Sequence, residues 1–203
     1  YQGFQGSRSG AAIFKPATNE SLRYSKFQSI YYQLTPVVSQ ITQLFNDSDS
    51  GETALVKARI YKDLSMMEWE VALGPIPEGD RGKEVIVVFE TDSIDQQNIF
   101  FTDSNGLHME PRMVNFRPRF YSAEASSTFN ISVNYYPITS AIAIRDIYWQ
   151  NQMTVMTTRT MGGSAMQTGA IELMQSRRLN YDDISKKGVF LRSSEEVTAT
   201  YYL

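Results

Sequence analysis

An antiparallel β-sandwich is the fold class that this sequence predicts, on three observations. Apolar and polar residues alternate in short runs separated by turn residues. Aromatic side chains make up 12% of the chain, with twelve tyrosines among them. No stretch has the spacing of a convincing amphipathic helix. Fewer than a fifth of the residues are therefore expected to be helical.

Taken in order, the elements follow from local chemistry. From Ser29 to Phe45, Val37, Val38, Ile41, Leu44 and Phe45 fall at helical spacing. The β-branching of the run and its Ile30-Tyr31-Tyr32 segment nevertheless favour strand. Asn46 to Gly51 is a turn cluster. Val56, Ala58 and Ile60 then face one way, against Lys57, Arg59 and Tyr61. Met67, Trp69, Val71 and Leu73 are likewise set against Glu68 and Glu70, which describes antiparallel strands with a wet outer face. Glu68 and Glu70 are expected on that face, exposed and unperturbed. Gly74-Pro75-Ile76-Pro77 ends the second strand, because neither proline can donate to a ladder. Lys83 to Glu90 is richer in apolar residues and is expected to be central. Asn105-Gly106 suits the positive φ values of a tight hairpin. Pro111 to Ser127, with Arg112, Arg117 and Arg119, reads as a solvated irregular strand, a sugar- or anion-binding rim being the other reading. Further strands are expected over Asn130–Tyr136, Ala141–Asp146, Gln152–Thr158, Ala170–Gln175 and Val197–Tyr202.

Bulk properties narrow the function. A net charge of -3 and a pI near 5.3 provide no basic field, which argues against nucleic acid as a partner. No apolar run approaches the ~20 residues of a membrane span, and no secretory leader is evident. The opening at Tyr1, on the loop-like YQGFQGSRSG, suggests a piece of a longer polypeptide. With no cysteine, disulfides cannot report the compartment. Acceptor sequons at Asn19, Asn46 and Asn130 point instead to a secretory or lysosomal route.

The most informative stretch is Gly162 to Asp183, GGSAMQTGAIELMQSRRLNYDD. Its glycines suit tight turns or close approach, and Ala170 to Met174 suits a core-crossing strand. Arg177 and Arg178 precede Asp182 and Asp183 by four to six residues, which makes a salt-bridged loop the expected role for the aspartates. A retaining glycosidase needs two carboxyl groups roughly 5 Å apart. Adjacent Asp182 and Asp183 would tend to diverge, and Glu68 with Glu70 reads as surface. The single histidine, His108, and the lack of cysteine leave no imidazole- or thiolate-based zinc set. Asp103-Ser104-Asn105-Gly106 opens like a calcium loop but lacks the later ligands, so it reads as a turn. No nucleophile–base pair for serine or cysteine hydrolysis is present.

The same stretch resembles the GGSS…G.LELM..RRL..DD segment of the glycoside hydrolase family 38 α-mannosidases, the lysosomal type above all. Four other stretches agree in the family's order: Ser9-Gly10-Ala11 with Ile13 to Pro16, Gly74 to Pro77 with Gly82 to Glu84, Phe101 to Gly106, and Asn134 to Pro137. The resemblance implies that residues 1–203 are a C-terminal β-sandwich portion of a larger enzyme that removes terminal α-D-mannose from glycans. It also implies a zinc-dependent N-terminal catalytic domain outside this segment and a lysosomal or secreted location. The catalytic residues would then lie elsewhere, while Arg177, Arg178, Asp182 and Asp183 would support the mannose pocket. Two departures stand out. Ala12 occupies the position of a pocket tyrosine, and Ile184 to Gly188 replaces a glycine-rich continuation. A catalytically inactive carbohydrate-binding or structural homologue is the alternative.

Overall fold

The computed structural model describes Phe14, Pro16 and residues 20–78, 82–116, 130–179, 191 and 194–203. Among the described residues nine strands form one antiparallel sheet: β1 (Phe27–Leu34), β2 (Val38–Asp47), β3 (Glu52–Tyr61), β4 (Met67–Leu73), β6 (Ile99–Ser104), β7 (His108–Met113), β9 (Ala141–Arg145), β10 (Gln152–Thr157) and β13 (Val197–Tyr202). Their order is β1-β2-β3-β4-β13-β10-β9-β6-β7. A smaller antiparallel sheet holds β5 (Lys83–Glu90), β12 (Ala170–Arg178), β11 (Met161–Ser164) and β8 (Tyr136–Ile138), in the order β5-β12-β11-β8. Helix is confined, among the described residues, to the single turn α1 (Asn130–Val133). No helix is long and apolar enough to cross a membrane among the described residues.

The sheets share one core. Val71, Leu73, Ala199 and Tyr201 from the larger sheet meet Val85, Phe89, Ile171 and Leu173 from the smaller one. Phe89 stands edge-on to both Trp69 and Tyr201, with ring centroids 5.9 and 5.4 Å apart. Such pairs add about 0.5–1.5 kcal/mol beyond the area they bury.

Several expectations are corrected. Ser29 to Phe45 is two strands, because Pro36 sits in a hairpin turn that Thr35 closes. The Thr35 hydroxyl accepts from the Val38 amide at 3.0 Å, and the Thr35 amide donates to the Val38 carbonyl at 3.0 Å. Lys83 to Glu90 is a strand with the expected ends, but it lies at the edge of the smaller sheet. A uniformly apolar strand can be buried by an overhanging second sheet as well as by two neighbours. Asn130 to Tyr136 is not one strand: α1 comes first and pairing begins at Tyr136. Between them Asn134 is buried, and its Oδ1 accepts from the Asn115 amide at 2.7 Å. Arg112 lies 4.5 Å from the Tyr136 ring centroid, whereas Arg117 and Arg119 fall outside the described residues.

Glu68 and Glu70 are half-buried rather than exposed. Cross-strand pairing sets Lys57 opposite Glu70 and Arg59 opposite Glu68, and the ion pairs measure 2.6 and 2.5 Å. Arg59 also reaches Glu70 at 3.0 Å. The Lys57 ammonium, opposed by burial and helped by Arg59, holds the Glu70 carboxyl below its ordinary range.

The turn at Asn105-Gly106 has φ values of +51° and +72°, as a tight hairpin requires. Asp103 organises it. One carboxylate oxygen accepts from the Gly106 amide at 2.7 Å; the other accepts from Thr139, Ser140 and Ala141 at 2.8, 3.0 and 3.2 Å. Burial pushes the Asp103 carboxyl up, but these four donors outweigh it and hold it below the usual carboxylate range. Asp103→Ala should cost about 2–4 kcal/mol, since bonds to a charged group are worth about 1.5–3 kcal/mol each and do not add fully. The contribution is complete above the unfolded-state pKa of about 3.9 and is lost as pH falls through the lower folded-state value. Thermal unfolding of both proteins across pH should show a gap that narrows below about pH 4. A pH-independent gap would contradict the role of the ionised form.

Candidate functional site

β12 breaks regular pairing at one residue. Its register against β5 runs from Ala170↔Glu90 to Met174↔Ile86 and resumes at Ser176↔Val85, so Gln175 is an extra residue in a β-bulge. A bulge releases a carbonyl from the ladder and re-aims the residues that follow it. The Gln175 carbonyl accepts from the Arg159 guanidinium. Its side chain is buried and crosses to the larger sheet. There Nε2 donates to the Val71 carbonyl on β4 at 2.7 Å and to the Val197 carbonyl on β13 at 3.0 Å. Oε1 accepts from the Tyr201 hydroxyl at 3.0 Å. Burial raises the Tyr201 pKa, against a smaller opposing effect of Arg159, and so keeps it a donor.

Past the bulge, the end of β12 presents the arginine pair. Arg177 stands opposite Glu84, and its Nη2 and Nε donate to Glu84 Oε1 at 2.6 and 3.2 Å. The Glu84 side chain is only 1% exposed, so the guanidinium offsets the cost of burying its charge. Arg178 Nη1 donates to the Ile76 carbonyl at 2.6 Å and Nη2 to Glu78 Oε1 at 2.5 Å. The Glu78 side chain is 88% exposed, so this ion pair contributes little by itself. The bond to Ile76 tethers the Gly74–Pro77 loop to the end of β12. Beside β12, Gly163 on β11 permits close packing. A Cβ there would lie 2.7 Å from Ile138 Cγ1 and 2.9 Å from Leu173 Cδ2.

This arrangement holds the strand end by charge and positions the loop beside it. Asp182, Asp183 and Ala12 lie outside the described residues, so the carboxylates seen on the arginines are Glu84 and Glu78. Asn46 is exposed at the end of β2; Asn19 and the side chain of Asn130 lie outside the described residues. His108 is exposed on β7, with Nε2 2.5 Å from Glu110 Oε1. Among the described residues no three metal-ligating groups are gathered, so the residues seen do not fit a zinc ion.

Sequence reasoning missed Glu84 and Gln175. A carboxylate directly beside the apolar run Val85 to Phe89 was the available signal for Glu84. Nothing in the periodicity of Ala170 to Arg178 marks residue 175 as a bulge.

The model of the glycosyl hydrolases family 38 C-terminal domain matches residues 1–185. The chain is 38% identical over 176 residues to the lysosomal alpha-mannosidase of Homo sapiens, a match covering 86% of this chain and 16% of that protein. It is 32% identical over 178 residues to an alpha-mannosidase of Canavalia ensiformis, covering 86% and 17%. It is 27% identical over 193 residues to the lysosomal alpha-mannosidase of Dictyostelium discoideum, covering 95% and 18%. The chain thus spans less than a fifth of the length of the curated relatives it matches.

The two arginines should differ in what they hold together. Arg177→Met should destabilise the protein by about 3–5 kcal/mol, the range for breaking a buried pair. Arg178→Met should cost about 1–2 kcal/mol, as it loses a carbonyl bond and an exposed pair. Thermal denaturation of each variant checks this, and equal losses would contradict the assignment of Arg177–Glu84 as the buried pair.

Proposed function

This chain belongs to the glycosyl hydrolase family 38 C-terminal domain family, and on that footing we propose that residues 1–203 are the C-terminal β-sandwich portion of an α-mannosidase. The enzyme would hydrolyse terminal α-D-mannose residues of glycans and glycoproteins. The observation that carries the reading is the match over most of the chain to proteins named as α-mannosidases. The catalytic carboxyl groups and a zinc ion would belong to an N-terminal domain of the same longer polypeptide. A lysosomal or secreted location fits the names of the relatives and the exposure of Asn46, with Asn19, Asn46 and Asn130 as candidate glycosylation sites.

In this reading the end of β12 works by positioning. Arg177, Arg178, Asp182 and Asp183 would support the mannose pocket from this side. The guanidinium groups fix the strand end through Glu84, Ile76 and Glu78. Rigid, charge-held backbone can then present carbonyls to sugar hydroxyls without reorganising during the reaction. No proton transfer is assigned to these residues.

A second reading, an inactive carbohydrate-binding or structural homologue, is favoured by Ala12 at the position of the family's pocket tyrosine. Assay of the native polypeptide on an aryl α-mannoside, with and without a chelator, separates the two. The enzyme reading expects hydrolysis that the chelator abolishes and zinc restores. Arg177→Ala and Arg178→Ala, assayed where both remain folded, should include at least one variant with kcat/KM lowered ~10-fold or more, about 1.4 kcal/mol of transition-state binding. Absence of hydrolysis supports the inactive homologue. Full activity in both variants would remove the arginine pair from the pocket.

A further inference from the structure

We propose that the outer edge of β5, with the cleft beside it, receives an extended strand from another part of the longer polypeptide, and that this strand continues the smaller sheet beneath β1 to β4. The proposal rests on the reading of this chain as one portion of a larger protein. A cleft of about 590 Å³ lies between the sheets, bordered on one side by every residue from Val85 to Glu90. Consecutive strand residues point to opposite faces, so only a backbone edge can border all of them. The facing wall is largely apolar, with Phe27, Phe45, Val56 and Trp69 drawn from four strands of the larger sheet and Arg23, Ser25 and Gln43 also lining the cleft.

Among the described residues that edge is unpaired. β5 is the end strand of its sheet, bonded on one side to β12. Among the described residues, Val85 to Glu90 have no strand partner on the other side and no backbone bond outside the ladder. Edge strands that face solvent in native proteins are blunted by charges, proline or bulges. Val85-Ile86-Val87-Val88-Phe89 contains no charge and no proline, the bulge of this pair is on β12, and Val88 is 38% exposed.

The occupant is an extended segment with apolar side chains at alternate positions, which meet Trp69 and Phe45 while its backbone bonds β5. The matched relatives are about six times longer than the aligned region, so such a segment has a source in the same chain.

Residue-resolved hydrogen–deuterium exchange on the native polypeptide tests this. An edge strand bonded on one side protects only alternate amides, whereas a strand bonded on both sides protects all of them. The expected result is protection of every amide from Val85 to Phe89, unchanged on hundredfold dilution. Free exchange at alternate amides, as with an open cleft or one filled by a small molecule, would overturn the proposal. Protection lost on dilution would also overturn it, by assigning the edge to a second copy. The readout is independent of mannoside hydrolysis, so an inactive but fully protected protein would count against the enzyme reading alone.

Discussion

Two sheets packed through apolar side chains alone can slide, because dispersion and burial carry little directional information. The Gln175 amide removes that freedom. It is buried between the layers, and its bonds to Val71, Val197 and Tyr201 can be made in one register only. A buried amide left without partners costs more than its bonds return when made, so the tie acts chiefly by penalising every other alignment. Arg159 completes the constraint by taking the carbonyl that the bulge releases.

The arginine pair depends on the same bulge. Ile171 and Leu173 face the core, and regular alternation would send Gln175 and Arg177 the same way. One extra residue reverses the phase. Ser176 then pairs with Val85, and Arg177 turns to the face of Glu84. Arg177 there neutralises a buried carboxylate, while the same reversal puts Arg178 on the side of Ser176 and Val85. Arg178 extends the effect to the Gly74–Pro77 loop through the Ile76 carbonyl. Strand end, loop and the strand bearing Glu84 thus form one unit, and it is this unit that the proposed pocket role requires.

Much of the fold was legible because period-2 alternation and turn chemistry are local. The ends of β4, β5 and β13 follow from Met67 to Leu73, Lys83 to Glu90 and Val197 to Tyr202. The Asn105-Gly106 hairpin follows from the φ values those residues tolerate. What the sequence hid was long-range. Glu68 and Glu70 read as solvated until the register set Arg59 and Lys57 across from them. Glu84 sits 93 residues from its arginine, and no local pattern reports such a partner. The edge position of β5 was likewise hidden, since apolar content measures burial and not neighbours. Of the candidate site, the arginines were found from their motif; Ile76 and Glu84 lie in another matching stretch, but that they hold the arginines was not legible.

The Gln175 amide fixes how the two sheets meet. Its most direct test is thermal unfolding of the Gln175→Leu variant, which keeps a buried side chain of similar size and removes the amide. The expected loss is about 2–4 kcal/mol, because two carbonyls and a hydroxyl each lose a bond inside the core, with a clear fall in Tm. An unchanged or raised Tm would mean that apolar packing alone sets the register, and would contradict the account.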